Sequence, residues 1–192
     1  MEENVRESYE NRVNSFYSHY GKVIVEFELM CKFLRLNILY FLQEDGLKTQ
    51  DLSRLMMADL SAYLLISKFR AIYALTYKSE PEKINHLDPF FKALLKINED
   101  RNYIVHGNML VPPANDHNIN NNPELNSVLL TKDIVRKGGI NYEAKRFADD
   151  DFKDLTTKIT KATKILHAIQ SSHTYKTDII QMVKTESIAE LK

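Results

Sequence analysis

Residues 87–107 read LDPFFKALLKINEDRNYIVHG, and the fold turns on this stretch. Apolar residues recur three and four positions apart at Leu87, Phe90, Phe91, Leu94 and Ile97. That is the pattern of a helix with one face buried. Advancing about 100° per residue from Leu94 brings Leu87, Phe90, Phe91, Ile97 and Val105 within about 60° of one line. The spacing predicts a helix from about Leu87 to His106, stopped by Gly107 and then by Pro112 and Pro113.

Upstream, residues 4–43 carry the same period (Val5, Tyr9, Val13, Phe16, Val23, Phe27, Met30, Leu34, Ile38, Phe41). Gly21 is a candidate kink, and Glu44-Asp45-Gly46 ends the helix. A second helix is expected from near Thr49 or Asp51 to about Tyr77, followed by a turn at residues 78–81. Downstream, Pro112 to Asn126 holds three prolines and six asparagines and reads as a loop. Residues 127–147 switch to a strand period around Arg136-Lys137-Gly138-Gly139, which predicts a β-hairpin. Asp149-Asp150-Asp151 reads as the cap and first turn of a fourth long helix, and a short helix over about 176–190 closes the chain. The expected fold is all-α. A bundle of four to five long helices forms a single domain over residues 1–192, with a loop and β-hairpin insertion at about 111–148 before the last long helix.

Composition narrows the function. The 26 basic and 26 acidic residues cancel, which argues against a protein that coats nucleic acid through a large positive field. An enzyme meeting RNA at one local basic site is still allowed. The single cysteine, Cys31, lies in an apolar run and reads as a small core residue, with no internal disulfide or zinc cluster to build. Met56-Met57 reads as core, and His86 and His117 as isolated turn residues without ligand spacing. No metal and no cofactor is expected. The N-terminus does not resemble a signal peptide, and no apolar run approaches the ~20 residues of a membrane span. A cytoplasmic protein without membrane contact is the expectation.

The chemistry is concentrated at the end of the opening stretch. On the helical projection Arg101 falls about 20° from the centre of the buried stripe, where a leucine would be expected. Asn98, Asn102 and His106 follow at about 40°, 80° and 120° as one polar ridge, and Tyr103 points the opposite way. A buried, unpaired charge is costly. Either Arg101 pairs with a carboxylate on another helix and His106 is a plain C-terminal cap, or the stripe opens here onto a cleft or a subunit interface. Glu26 or Glu28 is a candidate partner, though a solvated face is the favoured reading of both. Spacing alone is weak, since chance supplies roughly 0.75 arginine-to-histidine matches of this kind in such a chain. A second match, Arg12 to His19, reads as helix surface.

The run EDRNYIVHG, residues 99–107, resembles the signature of the HEPN superfamily of helical ribonucleases: an arginine, a polar residue that is often asparagine, and a histidine near a helix end. The resemblance rests on Arg101, Asn102 and His106 and on the bundle layout over roughly residues 4–170. It implies a metal-independent endoribonuclease, usually a homodimer with two such motifs facing each other across the interface. It also implies a toxin–antitoxin or phage-defence role with an antitoxin or other partner protein. Some members only bind RNA, a nucleotide or a partner. Asn108 stands where members silenced by a nucleotidyltransferase carry tyrosine.

Cleavage by the ribose 2′-OH needs a group to take its proton and a cation to stabilise charge growing on the phosphate. His106 is the candidate base or acid, Arg101 the phosphate-binding cation, and Asn102 a residue that orients the imidazole or contacts RNA. In a dimer the second His106 would protonate the leaving oxygen, and the product would carry a 2′,3′-cyclic phosphate. Asn98, Lys132, Arg136 and Lys137 are candidate RNA-binding residues. With Lys145 and Arg146 the hairpin cations form either a finger that grips phosphates or an edge-strand charge pattern that discourages aggregation.

Overall fold

The computed structural model describes residues 2–47, 49–112, 127–136, 139–184 and 188–191. Among these, six α-helices accompany one small sheet. Helix α1 runs over Glu2–Glu44, α2 over Gln50–Ala58, α3 over Ala62–Thr76 and α4 over Pro81–His106. Strands β1 (Asn108–Leu110), β2 (Ser127–Arg136) and β3 (Gly139–Ala148) follow, then α5 (Asp149–Tyr175), α6 (Ile179–Lys184) and a 3₁₀ turn at Ile188–Leu191. The helical bundle with a hairpin before the last long helix is what the periodicity predicts.

Several boundaries differ. α1 continues as one helix through Gly21, where nothing lies within 4 Å of a would-be Cβ. It stops at Gly46, whose φ of +96° lets Gly46 N–H donate to Gln43 O at 3.0 Å and Leu47 N–H to Leu42 O at 2.9 Å. The expected second helix is two helices. Ser61 leaves the helical region and its hydroxyl accepts from Leu64 N–H at 3.4 Å, so it caps a fresh start. α4 begins at Pro81, six residues before Leu87, because proline is pre-shaped for a first helical position. It then runs through Pro89, and His86 is therefore a helix residue.

The sheet is antiparallel in the order β1-β2-β3. The hairpin register pairs Ser127 with Ala148 and Arg136 with Gly139, as its glycine turn suggests. Strand β1, which pairs Asn108 with Thr131 and Leu110 with Leu129, lies in a stretch the sequence leaves without structure. Three residues are too few for a strand period to register.

The chain forms two compact units. The first comprises Met1–Val25 and Glu99–Thr156; the second comprises Glu26–Asn98 and Thr157–Lys192. The core of the first is built from Phe16, Ile104, Val128, Leu130, Phe147 and Phe152. Phe152 stacks at a tilt against both Phe16 (6.2 Å between centroids) and Phe147 (5.6 Å). The second buries the apolar stripes of its helices around Phe41, Phe69, Tyr73 and Phe91, whose rings meet edge-on or tilted at 5.4–6.4 Å. Cys31 is buried there as expected. Of the methionine pair only Met57 is core; Met56 is 59% exposed. No helix among the described residues is long and apolar enough to cross a membrane.

Candidate functional site

Arg101, Asn102 and His106 occupy the last turn and a half of α4, inside the first unit. The buried stripe does not continue straight to the helix end. Ile104 is 1% exposed, whereas Val105 and Arg101 are only half-buried. Ile104 lies about 80° to one side of Leu94. The core-facing side thus rotates away from Arg101 over the final turn. The cause is the sheet. Tyr103, expected to face away from the protein, stacks on Phe147 of β3 at 6.2 Å and 28°, and Asp100 meets Lys145 at 3.6 Å. The hairpin therefore packs on the side of α4 that carries Asp100, Tyr103 and Ile104.

Arg101 reaches sideways along the helix. Its Nε is shut off from solvent, while Nη1 donates to Asn102 Oδ1 at 3.1 Å. A long cationic side chain can bury its stem and carry its head toward an edge in this way. His106 ends α4 as an exposed imidazole that makes no hydrogen bond or ion pair among the described residues. Asn98 is 5% exposed and belongs to the second unit.

Gly107 then turns the chain. Its N–H donates to Tyr103 O at 3.1 Å. A Cβ there would stand 2.7 Å from Tyr103 O, 3.4 Å from Thr131 O and 3.5 Å from Leu130 Cβ. Only glycine lets β1 leave the helix this close to β2. Extending the β1–β2 register back by one residue sets Lys132 level with Gly107, next to His106. Lys132 is half-buried and faces Glu143 across the hairpin. Arg136 pairs with Gly139 four residues further out, about 13 Å along the strand. Its side chain and all of Lys137 lie outside the described residues, as does His117. Of the expected RNA-binding cations, Lys132 is the one whose backbone the register brings to the level of the helix end.

The first unit also holds a cluster that the sequence reading assigned to helix surface. Arg12 Nη2 donates to Pro112 O at 3.3 Å. His19 Nδ1 lies 3.3 Å from Asp149 Oδ1 without the alignment of a hydrogen bond, and the Ser15 hydroxyl donates to Asp149 Oδ2 at 3.5 Å. The signal was present: Arg12 and His19 project within about 60° of the buried Phe16 and Val23. The three aspartates thus divide their labour. Asp149 faces His19 and Ser15, Asp150 accepts from Lys153 at 3.0 Å, and Asp151, the third helical residue, reaches back to accept from the N–H of Ala148 at the cap position at 2.8 Å. Glu26 accepts from Thr160 at 3.4 Å and Glu28 is exposed. No group of three or more metal-ligating side chains occurs among the described residues.

No protein-family model, curated protein or solved structure matches the chain.

Proposed function

We propose that the end of α4 is the working site of a metal-independent endoribonuclease, as the resemblance of residues 99–107 implies. The observation that carries this reading is the divergence of Arg101 and His106 from the core within one turn. A half-buried guanidinium bonded to Asn102 and an exposed imidazole lie within the same turn and a half of the helix end, with Lys132 level with the next residue. Arg101 would hold the scissile phosphate, since its planar fork matches phosphate oxygens. His106 would take the 2′-OH proton or return one to the 5′-oxygen. The partner subunit's His106 would supply the second proton-transfer group in a homodimer, and the biological role would be that of a toxin or phage-defence effector.

A second reading is a module that binds RNA, a nucleotide or a partner without cutting. The exposure of His106 favours it, because a general acid or base is commonly held by a partner of its own.

Incubation with total RNA and a search for new ends bearing a 2′,3′-cyclic phosphate tests the first reading. Arg101→Ala and His106→Ala are each expected to slow cleavage by ~10² or more while the melting curve stays in place. EDTA is expected to have no effect. Cleavage at an unchanged rate in both variants refutes the site; RNA binding without new ends selects the second reading.

A further inference from the structure

In the second unit one imidazole joins three helix ends. His173, in the last turn of α5, is 8% exposed at its side chain. Its Nδ1 lies 3.0 Å from Glu44 Oε2 at the end of α1, and its Nε2 lies 3.2 Å from the Tyr77 hydroxyl at the end of α3. A carboxylate can only accept, so Nδ1 carries the proton and donates to Glu44. Nε2 is then the lone pair of a neutral ring and accepts from Tyr77. The ring stands edge-on to Phe41 at 4.0 Å.

A hydroxyl, an imidazole and a carboxylate in series resemble a nucleophile with its base and orienting group. The surroundings argue otherwise. Burial, then the negative charges of Glu44, Glu80 and Asp178, push the Tyr77 hydroxyl up to about 12, the wrong direction for a nucleophile. The imidazole is nearly closed to any substrate.

The backbone around His173 is equally committed. Lys176 adopts a φ of +50°, rare for a residue with a side chain, so that Lys176 N–H reaches His173 O at 3.3 Å and Thr177 N–H reaches Ser172 O at 2.9 Å. This strained stop leads into α6, which anchors through buried Ile179 and Val183.

We propose that His173 is a proton-operated clasp: neutral, it ties α1, α3 and α5 together, and on protonation it releases the end of α5 and the segment that follows. Protonation converts Nε2 from acceptor to donor, so the Tyr77 bond must reverse or break. It also places a cation in a buried site whose charged neighbours conflict. Glu44 on α1 attracts it, whereas Lys83 on α4, with its ammonium 4.8 Å above the Tyr77 ring, repels it. Burial is the largest influence and holds the His173 pKa below its ordinary value of 6.5. The clasped state therefore binds the proton less readily than the open state. Its contribution is complete above pH 6.5 and is lost as pH falls through the lower, clasped-state value.

Hydrogen exchange on the full chain, read by peptide or by residue from pH 7.5 to 5.0, tests this. After correction for the intrinsic pH dependence of exchange, protection over residues 170–184 is expected to fall by up to about tenfold per pH unit below 6.5. His173→Phe keeps the packing on Phe41 and is expected to abolish that dependence. Glu44→Gln serves if that variant does not fold; it removes the attracting charge and is expected to move the transition to lower pH. Protection that is flat with pH in the wild type overturns the clasp. So does a dependence that survives His173→Phe, or a transition that Glu44→Gln leaves in place.

Discussion

Arg101 and Asn102 are adjacent in sequence, yet Arg101 Nη1 donates to Asn102 Oδ1 at 3.1 Å. Neighbouring residues on a helix point about 100° apart and ordinarily do not meet. The guanidinium must sweep around the helix to make this bond, and it sweeps from the centre of the buried stripe toward the side that carries His106. Asn102 thus accepts a hydrogen bond from the guanidinium, a contact that helical spacing does not predict. Asn102→Ala removes this bond to Arg101 and, under the proposed function, should slow single-turnover RNA cleavage about tenfold, less than loss of the arginine itself. Asn102→Asp keeps an acceptor but sets a negative charge beside the phosphate site, and should be slower still. Cleavage by Asn102→Asp at or above the wild-type rate would show that Arg101 does not act on a phosphate.

Gly107 offers a test of how β1 is seated. Nothing in its backbone demands glycine through a positive φ; the demand comes from the 2.7 Å approach of a would-be Cβ to Tyr103 O and the nearness of β2. Both obstacles belong to regular elements and cannot swing aside. Gly107→Ala should cost roughly 1–3 kcal/mol, as overpacking does. A thermal melt several degrees below wild type is the expected readout, with exposed Asn108→Ala as a control that melts normally.

The apolar period fixed the long helices well because each buries one continuous face, and that face is written at three- and four-residue spacing. It failed where a local interaction overrode the period. Ser61 restarts a helix by capping, and Pro81 opens α4 ahead of its first strongly apolar turn. The projection sets Arg101 on an apolar line that in the structure turns toward Ile104 over the last turn and leaves Arg101 half-buried, and the same projection marks Arg12 and His19, which read as helix surface in the sequence. Their partners, Pro112 and Asp149, lie 100 and 130 residues away, and helical periodicity carries no information on such pairs. Tyr103 lies opposite the apolar stripe, as projected; what the projection does not carry is the sheet, which packs on that side through Phe147.

The three aspartates at the start of α5 look equivalent in sequence and should not behave equivalently. Asp151 accepts from Ala148 N–H at the cap position, so Asp151→Ala should cost about 0.5–1.5 kcal/mol, as loss of one hydrogen bond does. Asp150 is 92% exposed and pairs with surface Lys153; Asp150→Ala should change stability by less than about 0.5 kcal/mol. Chemical denaturation of the two variants measures both. Equal effects would mean that the cap contributes nothing beyond the general attraction of acidic groups to a helix start.

Phe147 decides whether the hairpin is an appendage. An insertion held only by its own turn could lose a side chain without disturbing the helices. Phe147 instead is 4% exposed, lies 5.6 Å from Phe152 at the start of α5, stacks on Tyr103 of α4 and carries the Lys145 ammonium 4.6 Å above its ring. Those contacts join β3 to both helices that flank the insertion. Phe147→Ala should therefore remove about 3–5 kcal/mol, the loss typical of a buried aromatic ring. It should also lower RNA cleavage at permissive temperature, because Tyr103 and Asp100, on the same turns of α4 as Arg101 and His106, lose their packing. A variant that melts with the wild type and cuts RNA normally would make the hairpin dispensable to the first unit.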